Sequence, residues 1–599
     1  MSATQTKAIF DFSDEIRLGT VKSVDTTSVL VSITSLSQLL KLQVNRLVAL
    51  QSSRPTHTLI GVVQKINRSY GSAPSKLNEK PDEDFESLGE TSFAGAGAEI
   101  NLVKIVLIGT FIDKIGSKEN IFRRTLETVP DIEAACFPIE SDRLTAFMRV
   151  ISEAGGGELQ RLSIGHYTLD EHAEAFLSGN RLFQRHAVLV GSTGSGKSWT
   201  VARLLEQVAS LPNANAILID VHGEYAPLNG SGFQHFKIAG PSDLDAARSL
   251  KDGIIHLPFW LMGYEDSISM LVDRSDQNAP NQSMILAKKI AEAKRITLTK
   301  LGKTEVLTNF TSDSPIPFDI RQVIEGLEAE DVKMVPGAKA GTEKAGELNG
   351  KLTRLILRLK AKVSDRRLGF MFSGPEEAHS YEALENLAIA LMAGTSQKAS
   401  TGSGVKIIDF SEVPSDILPL IVSSLARLIF SIQQWTEKQK RHPIAIFCDE
   451  AHLYIPEGQT SELAGTASRS FERISKEGRK YGVALVVISQ RPSEVNKTVL
   501  SQCGNFIAMR LTNAEDQNVI KRMMPDTLSG FTELLPILDV GEALIVGDAS
   551  LLPSRVRISK PVCEPASLTV PFWDRWSEAT IEPGLKKAVE SLRRQSQSR

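Results

Sequence analysis

The stretch GSTGSGKS, Gly191 to Ser198, places three glycines, a lysine and a terminal serine within eight residues and fits the spacing G-x-x-x-x-G-K-[ST]. A glycine-rich backbone can turn its N–H groups inward and form a nest for anionic oxygens. Lys197 would add a point charge at the β- and γ-phosphates, and Ser198 Oγ would take a place on Mg2+. Gly191, Ser192, Thr193, Gly194, Ser195, Gly196, Lys197, Ser198 and Trp199 are therefore the candidate ATP-binding residues. A helix starting here would aim its N-terminal dipole at the phosphates.

A second set of groups lies far downstream. IAIFCDEAHLYIP, Ile444 to Pro456, is an apolar run that ends in two adjacent carboxylates, Asp449 and Glu450. Asp449 suits the Mg2+ shell, and Glu450 can polarise an attacking water. The next apolar run, ALVVISQ, ends in Gln490, an amide able to sense a γ-phosphate or to position water. Between the two, RSFERISKEGRKYG reads as a basic helix with Arg473, Lys476, Arg479 and Lys480, whose cations near its end favour the helix dipole.

The elements that must carry these groups are legible in the periodicity. HAVLV before the glycine loop is a short buried strand, and Val201, Leu204, Leu205 and Val208 after it recur on one helical face. NAILIDVHGEY is a further strand ending in a polar cluster. Residues from about Ala8 to Ile139 alternate apolar and polar positions between turns, including LGTVKSVDTTSVLVSI, TLIGVVQKI, INLVKIVLIGTFI and IFRRTLETV. This predicts a small β-barrel over 1–145, interrupted by an acidic loop at 71–99; a disordered linker between two half-domains is the alternative for that loop. The α/β pattern occupies 146–262 and 373–570, with a charged helical insertion at 263–372. The remainder, 571–599, is an amphipathic, basic tail expected to pack on the core or on a neighbouring subunit.

Bulk composition narrows the class. A chain of 599 residues, 42% hydrophobic and 23% charged, is an ordinary globular protein with room for several domains. A net charge of −3 gives no global signal for nucleic acid, although a ring need be basic only along its pore. The four cysteines are far apart and form no CxxC pair, which argues against a zinc site or a disulfide framework and fits a cytoplasmic setting. The most apolar long run, LPLIVSSLARLIFSI, is broken by Ser423, Ser424 and Arg427, so a buried or amphipathic helix is expected and not a membrane span. Asp449 to His452 spell DEAH, yet no Ser-Ala-Thr motif or second motor half follows, and no LSGGQ-like segment marks an ABC-type ATPase.

Taken in order, RHAVLVGSTGSGKS, LIDVHGEY, FCDEAHLYIP, EGRKYGVALVVISQRPSEV and GEALIVGDASLLPSRVRI resemble the HerA branch of the FtsK–HerA ATPases, over about Leu162 to Ile558. The resemblance implies an ASCE-type, RecA-like P-loop core under an N-terminal barrel, working as a homo-hexameric, ATP-driven translocase on double-stranded DNA. It implies Glu450 as catalytic, Gln490 as sensor, and Arg185 and Arg479 as arginines reaching a nucleotide, at least one from the neighbouring subunit. Asp220 and Glu224 match the family's D-x-H-G-E-Y pattern in a supporting role. Arg469, Arg473 and Lys476 are the candidates for DNA contact. The implied partner, docked on the barrel, is a nuclease of the NurA type or a sirtuin-like NAD-consuming effector, in DNA end processing or antiphage defence. The alternative is an ATP-locked hexameric scaffold that activates an effector with little translocation.

Overall fold

The structure, a computed structural model, describes residues 9–10, 17–70, 99–112, 121–153, 161–393 and 404–596, apart from 26, 41, 45, 55, 169, 340, 459–460, 524–525, 551, 568–569 and 579–583. Nearly all of the acidic loop read at 71–99 lies outside the described residues. The chain divides into two compact units. One comprises Met1–Leu182, Gly191–Thr200 and Gly504–Ser559, and the other Phe183–Val190, Val201–Cys503 and Lys560–Arg599.

In the first unit, seven antiparallel strands are β1 (Gly19–Val24), β2 (Ser28–Ser32), β3 (Leu47–Gln51), β4 (His57–Tyr70), β5 (Glu99–Ile112), β6 (Ile121–Arg123) and β7 (Ala135–Pro138). Their order is β2-β1-β7-β3-β4-β5-β6, and β2 also pairs with β5, Ser28 against Val106 through Ser32 against Leu102. That last pairing closes six strands into a barrel and leaves β6 outside it, so the closed strands expose no free edge. The alternation read from the sequence is what fills it: Val21, Val29, Val31, Leu50, Leu59, Val63, Val103 and Ile105 point into one core. Irregular register at Ile60/Gly61 and Val63/Lys65 bends the long β4–β5 ladder as closure requires. Helix α1 (Ser141–Glu153) adds Phe147 to an aromatic cluster with Phe10, Phe111 and Phe122. The run IFRRTLETV is a strand only over β6; beyond it, Thr110 Oγ1 donates to the Thr125 carbonyl and accepts from Glu127 N–H, which ends the ladder with a side chain. The hairpin β8 (Arg161–Tyr167) and β9 (Asp170–Ser178) belongs to a second sheet of this unit, completed below.

The second unit is built on β10 (Ala187–Val190), β11 (Ala216–Asp220), β12 (Phe233–Ile238) and β13 (Ile254–Ile255), then, after a small antiparallel ribbon β14 (Met334–Pro336) and β15 (Glu343–Ala345), on β16 (Val405–Asp409), β17 (Ile444–Cys448) and β18 (Val483–Ser489). Apart from the ribbon, these strands form a parallel sheet in the order β13-β12-β16-β11-β17-β18-β10. β10, β11, β16, β17 and β18 are buried along their whole length, as near-continuous Val/Ile/Leu runs require of a sheet covered on both faces.

Helix α2 (Lys197–Ala209) follows the glycine loop and buries Val201, Leu204, Leu205 and Val208 on one face. A helical segment then separates β13 from β16, with α3 (Tyr264–Leu271), α4 (Ala279–Lys300), α5 (Ile320–Asp331), α6 (Thr353–Ser364) and α7 (Ala383–Met392). Helix α8 (Leu418–Trp435) is the most apolar long run. Its interrupting residues find partners inside the fold: Arg427 meets Asp266 of α3 at 2.7 Å, Ser424 Oγ donates to the same carboxylate, and Ser423 Oγ donates to the Leu420 carbonyl. Helix α9 (Glu462–Tyr481) starts on the Ser461 side chain, which accepts the Ala464 N–H, and stops at Gly482, whose φ of +75° turns the chain into β18.

Three further antiparallel strands of the first unit, β19 (Asn505–Ala508), β20 (Glu542–Gly547) and β21 (Ser554–Ile558), run in order to β8 and β9. The tail forms α10 (Phe572–Ser577) and α11 (Leu585–Arg594), neither with a buried residue. Among the described residues, no helix is long and apolar enough to cross a membrane.

Candidate functional site

The glycine loop is held by its own unit. Ser192 N–H donates to the Arg510 carbonyl at 2.8 Å, Ser195 N–H to the Ser192 carbonyl at 3.1 Å, and Gly541 N–H to the Ser195 carbonyl at 2.9 Å. A side chain at Gly191 would collide with Ser195 Oγ and Met509 Cβ. Gly196 stands at φ +101°, a conformation that L side chains rarely adopt, just before α2 begins at Lys197. The backbone is thus pinned in a tight curve, with no Cβ at either position to fill it. Those features fit a phosphate cradle.

In the other unit, register decides what sits together. Val190, the last residue of β10, pairs with Ser489, the last residue of β18. Cys448 pairs with Val487, which sets Asp449 and Glu450 level with the same end of β18. Ile219 pairs with Cys448, and Asp220 with Asp409. One carboxyl edge of the parallel sheet therefore carries Asp409, Asp220, Asp449, Glu450 and Gln490 in succession. Ligands of open parallel sheets bind outside such an edge.

Glu450 is buried and sits in the left-handed region at φ +47°, ψ +45°. For a non-glycine residue that costs on the order of 1–3 kcal/mol, a strain concentrated at functional sites. Gln490 Nε2 donates to Glu450 Oε1 at 2.6 Å. His452 Nδ1 lies 3.3 Å from Glu450 Oε2 and 3.3 Å from Ser489 Oγ. Asp449 is buried, with Tyr454 OH donating to its carbonyl at 2.8 Å. Asp220 accepts N–H bonds from Gly223, Glu224 and Tyr225, which shapes the HGEY turn. Burial pushes the Asp220 carboxyl up to about 6; the backbone donors pull it down and the neighbouring Asp409 pushes it further up. Glu224 follows that turn, and its carbonyl accepts from Ala566 N–H.

The two arginines lie at the opposite edge. Arg185 precedes β10 and Arg479 precedes β18, and both are exposed. Between them His186, at φ +54°, accepts the Leu485 N–H on Nδ1 at 2.9 Å. Burial holds this imidazole at about 4; a hydrogen bond with the Ser475 backbone raises it and the Arg479 charge lowers it. A strand of seven residues separates Arg479 from Gln490. At 3.3 Å per residue that is roughly 20 Å, longer than an arginine side chain. Neither arginine reaches the carboxyl edge of its own sheet.

Arg469, Arg473 and Lys476 lie along α9, each about half exposed. Arg469 donates to Thr466 Oγ1, Arg473 stacks over the Phe430 ring at 5.3 Å and pairs with Glu477, and Lys476 pairs with Glu472. Sequence reasoning passed over Asp409, His452 and Ser489. Asp409 closes the strand GVKIIDFSEV as Asp220 closes its own, and that shared position was the available signal. His452 was visible only as a letter of DEAH.

The helicase HerA central-domain family matches residues 162–429, and the HerA-like C-terminal family matches residues 425–584. The DNA double-strand break repair helicase HerA of Pyrococcus furiosus is 24% identical over 429 residues, covering 66% of this chain and 69% of the relative. A probable HerA helicase of Methanocaldococcus jannaschii is 25% identical over 405 residues, covering 67% of this chain and 76% of the relative. Among solved structures, the plasmid coupling protein TrwB in complex with ADP and Mg2+ aligns with a TM-score of 0.43 at 12% identity, over 70% of this chain and 94% of that one.

Proposed function

The chain belongs to the HerA family of P-loop ATPases, and from that premise we propose that it is an ATP-hydrolysing motor that assembles as a homo-hexameric ring and moves along double-stranded DNA. The observation that carries the chemistry is Glu450, buried, strained and held by Gln490, the residue that follows β18. ATP bound with Mg2+ supplies the phosphoryl group and the neutralising metal charge. Lys197 offers its ammonium to the phosphate oxygens, and Ser198 and Asp449 are the residues that would hold the metal. Glu450 orients a water and accepts its proton, while Gln490 fixes the Glu450 carboxylate by donating to Oε1. Asp220 shapes the HGEY turn alongside. The distance between the two sheet edges supports an arginine supplied from the next subunit, which makes the site incomplete in a single protomer.

DNA as the track rests on the names of the HerA relatives, with Arg469, Arg473 and Lys476 as the contacts to test. The effector, a nuclease or a sirtuin-like protein, would dock on the N-terminal barrel. ATP turnover measured with and without linear duplex decides between motor and scaffold. Stimulation by DNA is the expected result, and DNA-independent turnover in assembled rings would favour the scaffold.

Two further outcomes are expected. Mass measurement in solution should give a hexamer, and a strict monomer that hydrolyses ATP at micromolar concentration would sink the ring. Lys197→Ala should weaken Mg·ATP binding about 10- to 100-fold, the worth of one charge-assisted contact. Titration with a fluorescent nucleotide reads this, and wild-type affinity would remove Lys197 from its role.

A further inference from the structure

Helix α8 ends at Trp435 and leaves its last carbonyls without intrahelical donors. Arg441 returns to them. Its Nε donates to the Gln433 carbonyl at 3.1 Å and to the Thr436 carbonyl at 3.0 Å, and its Nη2 donates to the Gln434 carbonyl at 3.3 Å. Its Nη1 donates to the Lys480 carbonyl at 3.4 Å, in the last turn of α9. The guanidinium stands 5.0 Å from the centroid of the Tyr481 ring, which meets Phe430 of α8 edge-on at 5.5 Å. Gln433 Nε2 donates to the His442 carbonyl and ties down the peptide beyond Arg441. One planar fork thus closes the C-termini of two helices, where a cation also meets both dipoles. Among the described residues Arg441 forms no ion pair, so its charge is directed at carbonyls.

The peptide that Arg441 grips follows Arg479 directly. Past Tyr481 the chain turns at Gly482 into β18, so the last turn of α9 has one strand on one side and this clamp on the other. We infer that Arg441 is a positioning residue for Arg479: it fixes the exit of α9 so that Arg479 is presented to the neighbouring subunit's nucleotide. The inference rests on the trans-arginine reading above. Arg441 itself touches no phosphate; it acts through the helix end, at a level of placement where a shift of about 1 Å costs roughly 100-fold in rate.

The test compares Arg441→Ala, Arg441→Lys, Arg479→Ala and the double variant Arg441→Ala/Arg479→Ala by steady-state ATP turnover in the full-length chain. Arg441→Ala should lower kcat roughly 10- to 100-fold with KM for ATP within about twofold. Arg441→Lys should lose nearly as much, because an ammonium lacks the fork that spans both helices; it also carries the test if the alanine variant does not fold. The double variant should be no slower than Arg479→Ala alone, since a residue that works through Arg479 has nothing left to position. Wild-type kcat in Arg441→Lys, or a double variant slower than Arg479→Ala by the full Arg441→Ala factor, would overturn the inference. Wild-type turnover by Arg479→Ala would instead take Arg479 out of the trans role, and the inference with it.

Discussion

Glu450→Gln is expected to bind ATP with near wild-type affinity and to lose turnover by about 10²–10⁴-fold, the contribution of a positioned general base. The substitution isolates the chemistry. Glutamine keeps the Cβ and the length of the side chain, so the left-handed backbone at φ +47° is burdened no more than before. Its amide oxygen can still accept from Gln490 Nε2, as Glu450 Oε1 does. What disappears is the carboxylate's capacity to take a proton from water, together with its charge beside His452. Phosphate release and binding of a non-hydrolysable nucleotide, measured on the same preparation, separate the two properties. Normal phosphate release would take Glu450 out of the mechanism. Loss of binding in parallel with turnover would mean that the residue supports the site's shape more than its chemistry.

The readable parts of this protein are those in which a short segment carries its own geometry. The glycine loop, the carboxylate pair and Gln490 each sit at the end of an apolar run, and a strand end is where a sheet delivers side chains to a ligand. The barrel was legible for a similar reason, since inward and outward positions alternate along each strand. Pairing across long gaps was not. β16 enters the sheet between β11 and β12 only after the whole helical segment, so nothing local announces that Asp409 stands opposite Asp220. Closure of the barrel through β2 and β5 is equally non-local. The left-handed backbone of Glu450 was hidden because its residue type gives no glycine signal. Arg473 reads as one cation of a basic helix and a candidate for DNA contact, whereas its guanidinium covers the Phe430 ring of α8, a neighbour that sequence spacing cannot supply.

Arg479→Ala should keep ATP affinity nearly normal and lose most turnover, because a trans arginine contributes roughly 10³–10⁵ in rate in other phosphoryl-transfer enzymes. The sheet gives the direction of the argument. Arg479 lies at the amino end of β18, and Glu450 lies level with its carboxyl end. The intervening strand of roughly 20 Å exceeds the reach of a guanidinium, so the direct contact proposed for Arg479 is with another subunit's nucleotide. Subunit mixing makes this concrete. A Lys197→Ala subunit still presents Arg479, and an Arg479→Ala subunit still has an intact loop. Rings mixed from the two impaired variants contain junctions that join an intact loop to an intact arginine, and hydrolysis should rise at those junctions. Its amount should peak near equal mixing, where such junctions are most frequent. Mixed rings that stay silent, with co-assembly shown by mass, would count against action in trans. Full activity of Arg479→Ala alone would exclude it and move the role to Arg185, on the same edge at the start of β10.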